Sequence, residues 1–72
     1  MFESNGTIFT PTESEVLRAL IRSGSVTAAS RRTGRTLGTV RVHLKHIHGK
    51  TDTHTVGELI VWALQHPDSW AS

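Results

Sequence analysis

The 72-residue sequence predicts an all-α domain built from four short helices. Hydroxyl residues stand where helix N-caps are expected, and apolar residues behind them recur at spacings of three and four. No segment shows the alternation of apolar and polar residues that is typical of a strand. The length allows one domain with a small core, and the absence of cysteine excludes disulfides and thiolate metal sites as reinforcement.

The first helix is predicted over residues 12–22. Around its start, Thr10 can serve as the N-cap, Pro11 suits the first helical position, and Glu13 can complete a capping box. Gly24 marks the end of the helix. One face collects the apolar side chains Val16, Leu17, Leu20 and Ile21.

A second, shorter helix is expected between the cap Ser25 and the pair Thr33-Gly34. Thr36 then caps a third helix, about residues 37–50, which ends near Gly49-Lys50. The connection between these two helices is very tight. This arrangement is typical of a helix-turn-helix unit, in which the third helix is the recognition helix. Its buried face is predicted to contain Val40, Leu44, Ile47 and Thr51.

The fourth helix is predicted to start at the cap Thr55, with Glu58 completing the start signal, and to stop before Pro67. Val61 and Trp62 add apolar surface beyond the core-facing arc of this helix, so they are candidates for a dimer or partner interface. The alternative is a C-terminal tail, including Trp70, that wraps over the domain. We therefore predict a flexible lead-in (1–9), a helix-turn-helix domain (10–66) and a tail (67–72).

The charges are segregated along the chain. Such segregation is typical of a surface that binds a polyanion, whereas an ordinary solvated surface mixes both signs and is the alternative interpretation. Every acid lies outside positions 18–50: Glu3, Glu13, Glu15, Asp52, Glu58 and Asp68. Every lysine and arginine lies within those positions: Arg18, Arg22, Arg31, Arg32, Arg35, Arg41, Lys45 and Lys50.

The outward face of the third helix has the side chains that read DNA in the major groove. Arginine and lysine donate to guanine, and a small apolar side chain can contact a thymine methyl. We therefore predict base contacts from Arg41, Val42 and Lys45. Contacts to the DNA backbone, which position the protein without reading sequence, are predicted for Arg31, Arg32, Arg35, Thr36, Thr39 and Lys50.

Two motifs make the stretch 9–64 resemble the LuxR/GerE helix-turn-helix domain of bacterial response regulators. They are Phe-Thr-Pro-Thr-Glu-Ser-Glu-Val-Leu from position 9 and Thr-Val-Arg-Val-His-Leu-Lys-His-Ile from position 39. The resemblance implies a four-helix domain whose third helix enters the major groove. It also implies that Arg41, Val42 and Lys45 face the groove and that the fourth helix pairs two copies.

The sequence departs from the family pattern in two respects. Polar residues replace apolar ones around the turn and after the third helix, so a thinner core is expected; they are Thr33, Arg35, Thr51 and Thr53. The family usually carries a receiver or ligand-binding domain ahead of this one, whereas nine residues precede the domain here. We therefore expect a stand-alone regulator, bacterial or phage in origin.

Other classes of function find little support in the sequence. No nucleophile, base and orienting residue recur at a recognisable spacing, so an enzyme is not expected. His43, His46 and His48 are poorly arranged for a shared metal, and no cofactor is expected. The longest apolar run, 59–64, is too short to cross a bilayer, and we expect a cytoplasmic protein.

Two hypotheses follow from these observations. The first is a sequence-specific double-stranded DNA-binding regulator of transcription, acting as a weak homodimer through the fourth helix. The second is an interaction protein that pairs through the same helix with a larger regulator and modulates it.

Overall fold

The computed structural model describes residues 9–70, and this part of the chain contains helices and no strand. The four α-helices are α1 (Pro11–Ser23), α2 (Val26–Thr33), α3 (Leu37–Thr51) and α4 (Val56–Gln65). A short 3-10 helix, Pro67–Ser69, follows α4. The predicted all-α, four-helix fold class is confirmed. Most of the predicted lead-in and the last two residues of the predicted tail lie outside the described residues.

All four predicted N-caps are confirmed. Each cap hydroxyl accepts a hydrogen bond from the backbone N–H three residues further on, at 3.1–3.2 Å. At α1 the Glu13 carboxylate in turn accepts a hydrogen bond from the Thr10 backbone N–H at 3.1 Å, and this second bond completes the capping box. These bonds satisfy amides that have no partner inside a helix, so short-range chemistry sets where each helix begins.

The end of α3 differs from the prediction. The helix continues through Gly49 to Thr51, and Asp52 takes the left-handed conformation, with φ 57°. Aspartate is one of the few residues with a side chain that adopts this conformation readily. The Thr51 hydroxyl donates to the Ile47 carbonyl at 3.0 Å from a buried position, which keeps the last turn helical.

One core cluster joins the four helices. Phe9, predicted to lie in the flexible lead-in, is only 6% exposed, and its ring meets the ring of Trp62 edge to face at a centroid distance of 5.8 Å. That assignment was therefore wrong, because an aromatic partner 53 positions away covers this residue. The largest fully buried side chains are Leu17, Leu20, Ile47, Leu59, Val16 and Val40.

Two buried threonines at the end of α3 and just after it are satisfied by hydrogen bonds. Thr51 and Thr53 are buried, and their hydroxyl oxygens lie 2.8 Å apart. The Thr53 hydroxyl also lies 2.8 Å from His48 Nδ1. The junction between α3 and α4 is therefore held by a small polar network, and not only by apolar contact.

The C-terminal segment packs back on α4. The indole N–H of Trp70 donates to the Ala63 carbonyl at 2.7 Å, and both tryptophans pack against the core. Trp62 is half-buried, because His66 stacks on its ring at a centroid distance of 4.5 Å while Phe9 meets another side. The wrapped tail considered from the sequence is thus present and involves Trp70.

Candidate nucleic-acid interface

Helix α3 is amphipathic in the predicted sense. The four residues assigned to its packing face are its buried residues. On the other side Arg41, Val42 and Lys45 are exposed, and Val42 is 54% exposed. An exposed valine beside two cations combines an apolar contact with hydrogen-bond donors on one helix face.

The tight turn before α3 sets how this face is presented. Gly34 closes α2 in the left-handed conformation, with φ 70°. The Arg35 backbone N–H donates to the Ser30 carbonyl at 3.2 Å, and the Ser30 hydroxyl donates to the Arg35 carbonyl. Ser30 thus binds the turn through both its backbone and its side chain, which holds α2 and α3 in a definite relation.

The start of α3 presents two threonines that bond to each other. Thr36 and Thr39 are exposed, the Thr36 hydroxyl accepts from the Thr39 N–H at 3.2 Å, and it donates to the Thr39 hydroxyl at 2.9 Å. Helix N-termini carry partial positive charge and amides suited to anions. The predicted roles of these two threonines are compatible with their positions.

Four of the predicted cationic contacts are available to a ligand. Each is exposed and has no ion pair with a carboxylate of residues 9–70. They are Arg31, Arg32, Arg41 and Lys45.

The other two cations predicted to contact DNA have intramolecular partners that the sequence did not reveal. Arg35 Nη2 lies 3.0 Å from Glu15 Oε1, and the Arg35 Nε is buried with no hydrogen-bond partner among residues 9–70. Lys50 donates through Nζ to Glu13 Oε1 and lies 5.9 Å from the centre of the Phe9 ring. Both cations thus form ion pairs that join the helix-turn-helix unit to α1.

Glu13 is the acidic centre of a small cluster that joins α1 to α3. It is 5% exposed, and its Oε2 lies 4.0 Å from His46 Nδ1. Burial alone would raise the pKa of Glu13, but the hydrogen bonds from the Lys50 side chain and the Thr10 backbone, with the charges of Lys50 and His46, lower it overall. A charged carboxylate therefore holds the C-terminal half of α3 at neutral pH.

The histidines of α3 serve separate contacts. His48 joins the threonine network, His46 faces Glu13, and His43 is half-buried. In residues 9–70 no group of three or more histidine, cysteine, aspartate or glutamate side chains could hold a metal ion. Over the same residues, no helix has the length and apolar character needed to cross a membrane.

Comparisons with known proteins add no relative. No protein-family model matches the chain, and neither a curated protein nor a solved structure matches it.

Proposed function

We propose that the protein binds double-stranded DNA sequence-specifically and regulates transcription, with α3 as a major-groove recognition helix. The observation that carries the proposal is the exposed face of α3, where an exposed valine lies beside two cations that form no ion pair within residues 9–70. Arg41 and Lys45 can donate to base edges, and Val42 can meet a thymine methyl. The sequence resemblance to the LuxR/GerE domain supports the same docking.

Backbone contacts surround this reading face. Thr36 and Thr39 at the helix N-terminus and Arg31 and Arg32 at the end of α2 are proposed to bind phosphates and set the register. For Arg35 and Lys50 we propose a structural role instead of the predicted DNA contact, since their ion pairs with glutamates of α1 stabilise the helix-turn-helix unit. A regulator of bacterial or phage genes would act in the cytoplasm.

Selection of bound sites from random duplex DNA, followed by titration of variants, tests the proposal. Arg41→Ala and Lys45→Ala should each lose about 1–3 kcal/mol of binding free energy at particular base pairs. Arg31→Ala is the matched control, because a lost phosphate contact weakens all sequences nearly equally. Equal losses on specific and random DNA for all three variants would contradict the assigned reading face.

A second candidate function is favoured by the surface of α4. Val61 is 55% exposed and Leu64 is 65% exposed, so this helix presents apolar side chains that a partner could cover. An interaction protein would keep its activity in Arg41→Ala and Lys45→Ala and lose it in Val61→Asp. A DNA-binding regulator would show the opposite dependence on the α3 variants.

A further inference from the structure

A shallow groove between α1 and α2 shares only Arg32 with the residues proposed to contact DNA. Its volume is about 190 Å³. The buried Ala19 and the half-buried Thr33 contribute to its floor, and the Thr33 hydroxyl is already bonded to the Ala29 carbonyl at 2.9 Å. Its charged lining consists of Glu15, Arg18, Arg22 and Arg32.

The groove carries an excess of unneutralised positive charge. Within residues 9–70, Arg18, Arg22 and Arg32 form no ion pair. The one acid in the lining, Glu15, pairs with Arg35 at 3.0 Å. Guanidinium groups gathered in a concavity repel one another and attract anions, and their planar forks bind carboxylates through two parallel hydrogen bonds.

The cations that line the groove lie on α1 and α2, whereas the proposed reading face lies on α3. On α1, Glu15, Arg18 and Arg22 fall within an arc of roughly 60°, about opposite the buried face that contains Leu17 and Leu20. That buried face packs in the same core cluster as the buried face of α3. Arg18 and Arg22 therefore lie on the side of α1 away from Leu17 and Leu20, and neither is among the predicted DNA contacts.

We infer that this groove binds an acidic segment of a partner protein, through carboxylates held by Arg18, Arg22 and Arg32. Cations on two helices suit several carboxylates along one segment better than a single small anion. Arg32, at the end of α2, lies at the edge shared with the proposed DNA surface. The inference does not depend on DNA binding, because Arg18 and Arg22 take no part in that proposal.

Binding of a labelled hexaglutamate peptide to the full chain tests the inference, with fluorescence anisotropy for affinity and NMR for location. The double variant Arg18→Gln/Arg22→Gln should weaken peptide binding about five- to tenfold, as expected when two partly solvated charge contacts are lost. Arg41→Gln/Lys45→Gln removes the same charge outside the groove and should change affinity less than twofold. In the unmodified protein, the peptide should shift the backbone amides of Ala19 and Thr33.

Three results would overturn the inference. The first is no binding of the peptide. The second is peptide binding outside the groove, seen either as an equal loss of affinity in both double variants or as amide shifts centred on Arg41 and Lys45. The third is weaker duplex DNA binding by Arg18→Gln/Arg22→Gln, which would assign the groove to DNA. The amide shifts are measured on the unmodified protein, so they show where the peptide binds even if a double variant does not fold. Failure of DNA binding would leave the peptide result unaffected.

Discussion

Glu13 shows how one residue can serve local and tertiary structure together. Its carboxylate completes the α1 capping box and also accepts from Lys50, 37 positions away. A buried carboxylate without these partners would be costly, because burial removes the water that stabilises its charge. The same residue that starts α1 therefore determines where the C-terminal half of α3 lies.

Replacing Glu13 by glutamine should reveal this second role. Glutamine can still cap α1, so Glu13→Gln removes mainly the charge that Lys50 binds. We expect a loss of about 1–2 kcal/mol in the free energy of unfolding at pH 7, moderated by the partial exposure of Lys50. Urea denaturation measures it. Glu15→Gln is the matched control: its pair with Arg35 is more exposed, and its loss should stay within about 0.5 kcal/mol.

The pH dependence of the Glu13→Gln effect follows from the lowered pKa. Since the pKa of Glu13 in the folded protein lies below its ordinary value of 4.5, the stabilisation is complete above about pH 4.5. It is lost as the pH falls through the lower folded-state value. The stability difference between the two proteins should therefore shrink towards pH 3. A difference that stayed constant from pH 7 to pH 3 would show that the charge of Glu13 does not matter.

Helix α3 has a well-packed face, but two glycines make its helical backbone less stable than alanine would at the same positions. Gly38 and Gly49 lie inside the helix, where glycine is unfavourable by up to about 1 kcal/mol relative to alanine. At both positions a Cβ atom would meet no atom within 4 Å. Packing in the described structure therefore gives no reason for glycine at either position.

Gly49→Ala should stabilise the protein by about 0.5–1 kcal/mol, because alanine loses less backbone entropy in a helix and finds open space here. Thermal unfolding followed by circular dichroism measures the gain. Gly34→Ala provides the contrast, since Gly34 has a φ of 70° that alanine adopts only under strain, and this variant should be destabilised. A destabilised Gly49→Ala variant would mean that the end of α3 needs a flexible residue.

For the whole molecule, the fold divides the eight central cations into groups with different roles. Arg35 and Lys50 pair with glutamates, and Arg18, Arg22 and Arg32 line the groove. Arg31, Arg41 and Lys45 are exposed and form no ion pair within residues 9–70. Each phosphate neutralised on DNA adds about −0.9 to the slope of log affinity against log salt. Arg31 and Arg32 are the cations proposed to bind phosphates, so we expect a slope near −2 for each bound copy, measured by titration at several salt concentrations. A slope near −7 would mean that nearly all the cations meet DNA, including those of the groove.

Association of two copies also belongs to the whole molecule. The exposed Val61 and Leu64 offer a small two-fold interface on α4, which should be weak in solution and become effective when adjacent half-sites hold two copies. Val61→Asp should leave binding to a single half-site intact and abolish cooperativity on a paired site. Sedimentation and half-site titrations measure both properties. Unchanged cooperativity would place the interface elsewhere.

Trp62 is a poorer probe of that interface than the sequence suggested. Its ring contacts Phe9 and His66, so Trp62→Ala should cost about 2–3 kcal/mol of stability in addition to any effect on association. Thermal unfolding separates the two effects. If the Trp62→Ala variant had unchanged stability, the Trp62 side chain would again be a candidate for the interface.

The sequence by itself determined the features that depend on neighbours three or four residues apart. The four caps, the order and approximate bounds of the helices, and the buried arc of α3 were all predictable, because capping bonds and helical periodicity act within one or two turns. The exposed positions of Arg41, Val42 and Lys45 follow from that arc.

Only the tertiary structure decided which distant residues meet. Two predicted DNA contacts have intramolecular partners in the pairs Glu13–Lys50 and Glu15–Arg35. The contact of Phe9 with Trp62 places a supposed lead-in residue in the core. The groove between α1 and α2 likewise needs two helices side by side. These contacts join residues 20 to 53 positions apart, and no local rule of capping or periodicity specifies such a pairing before the helices pack.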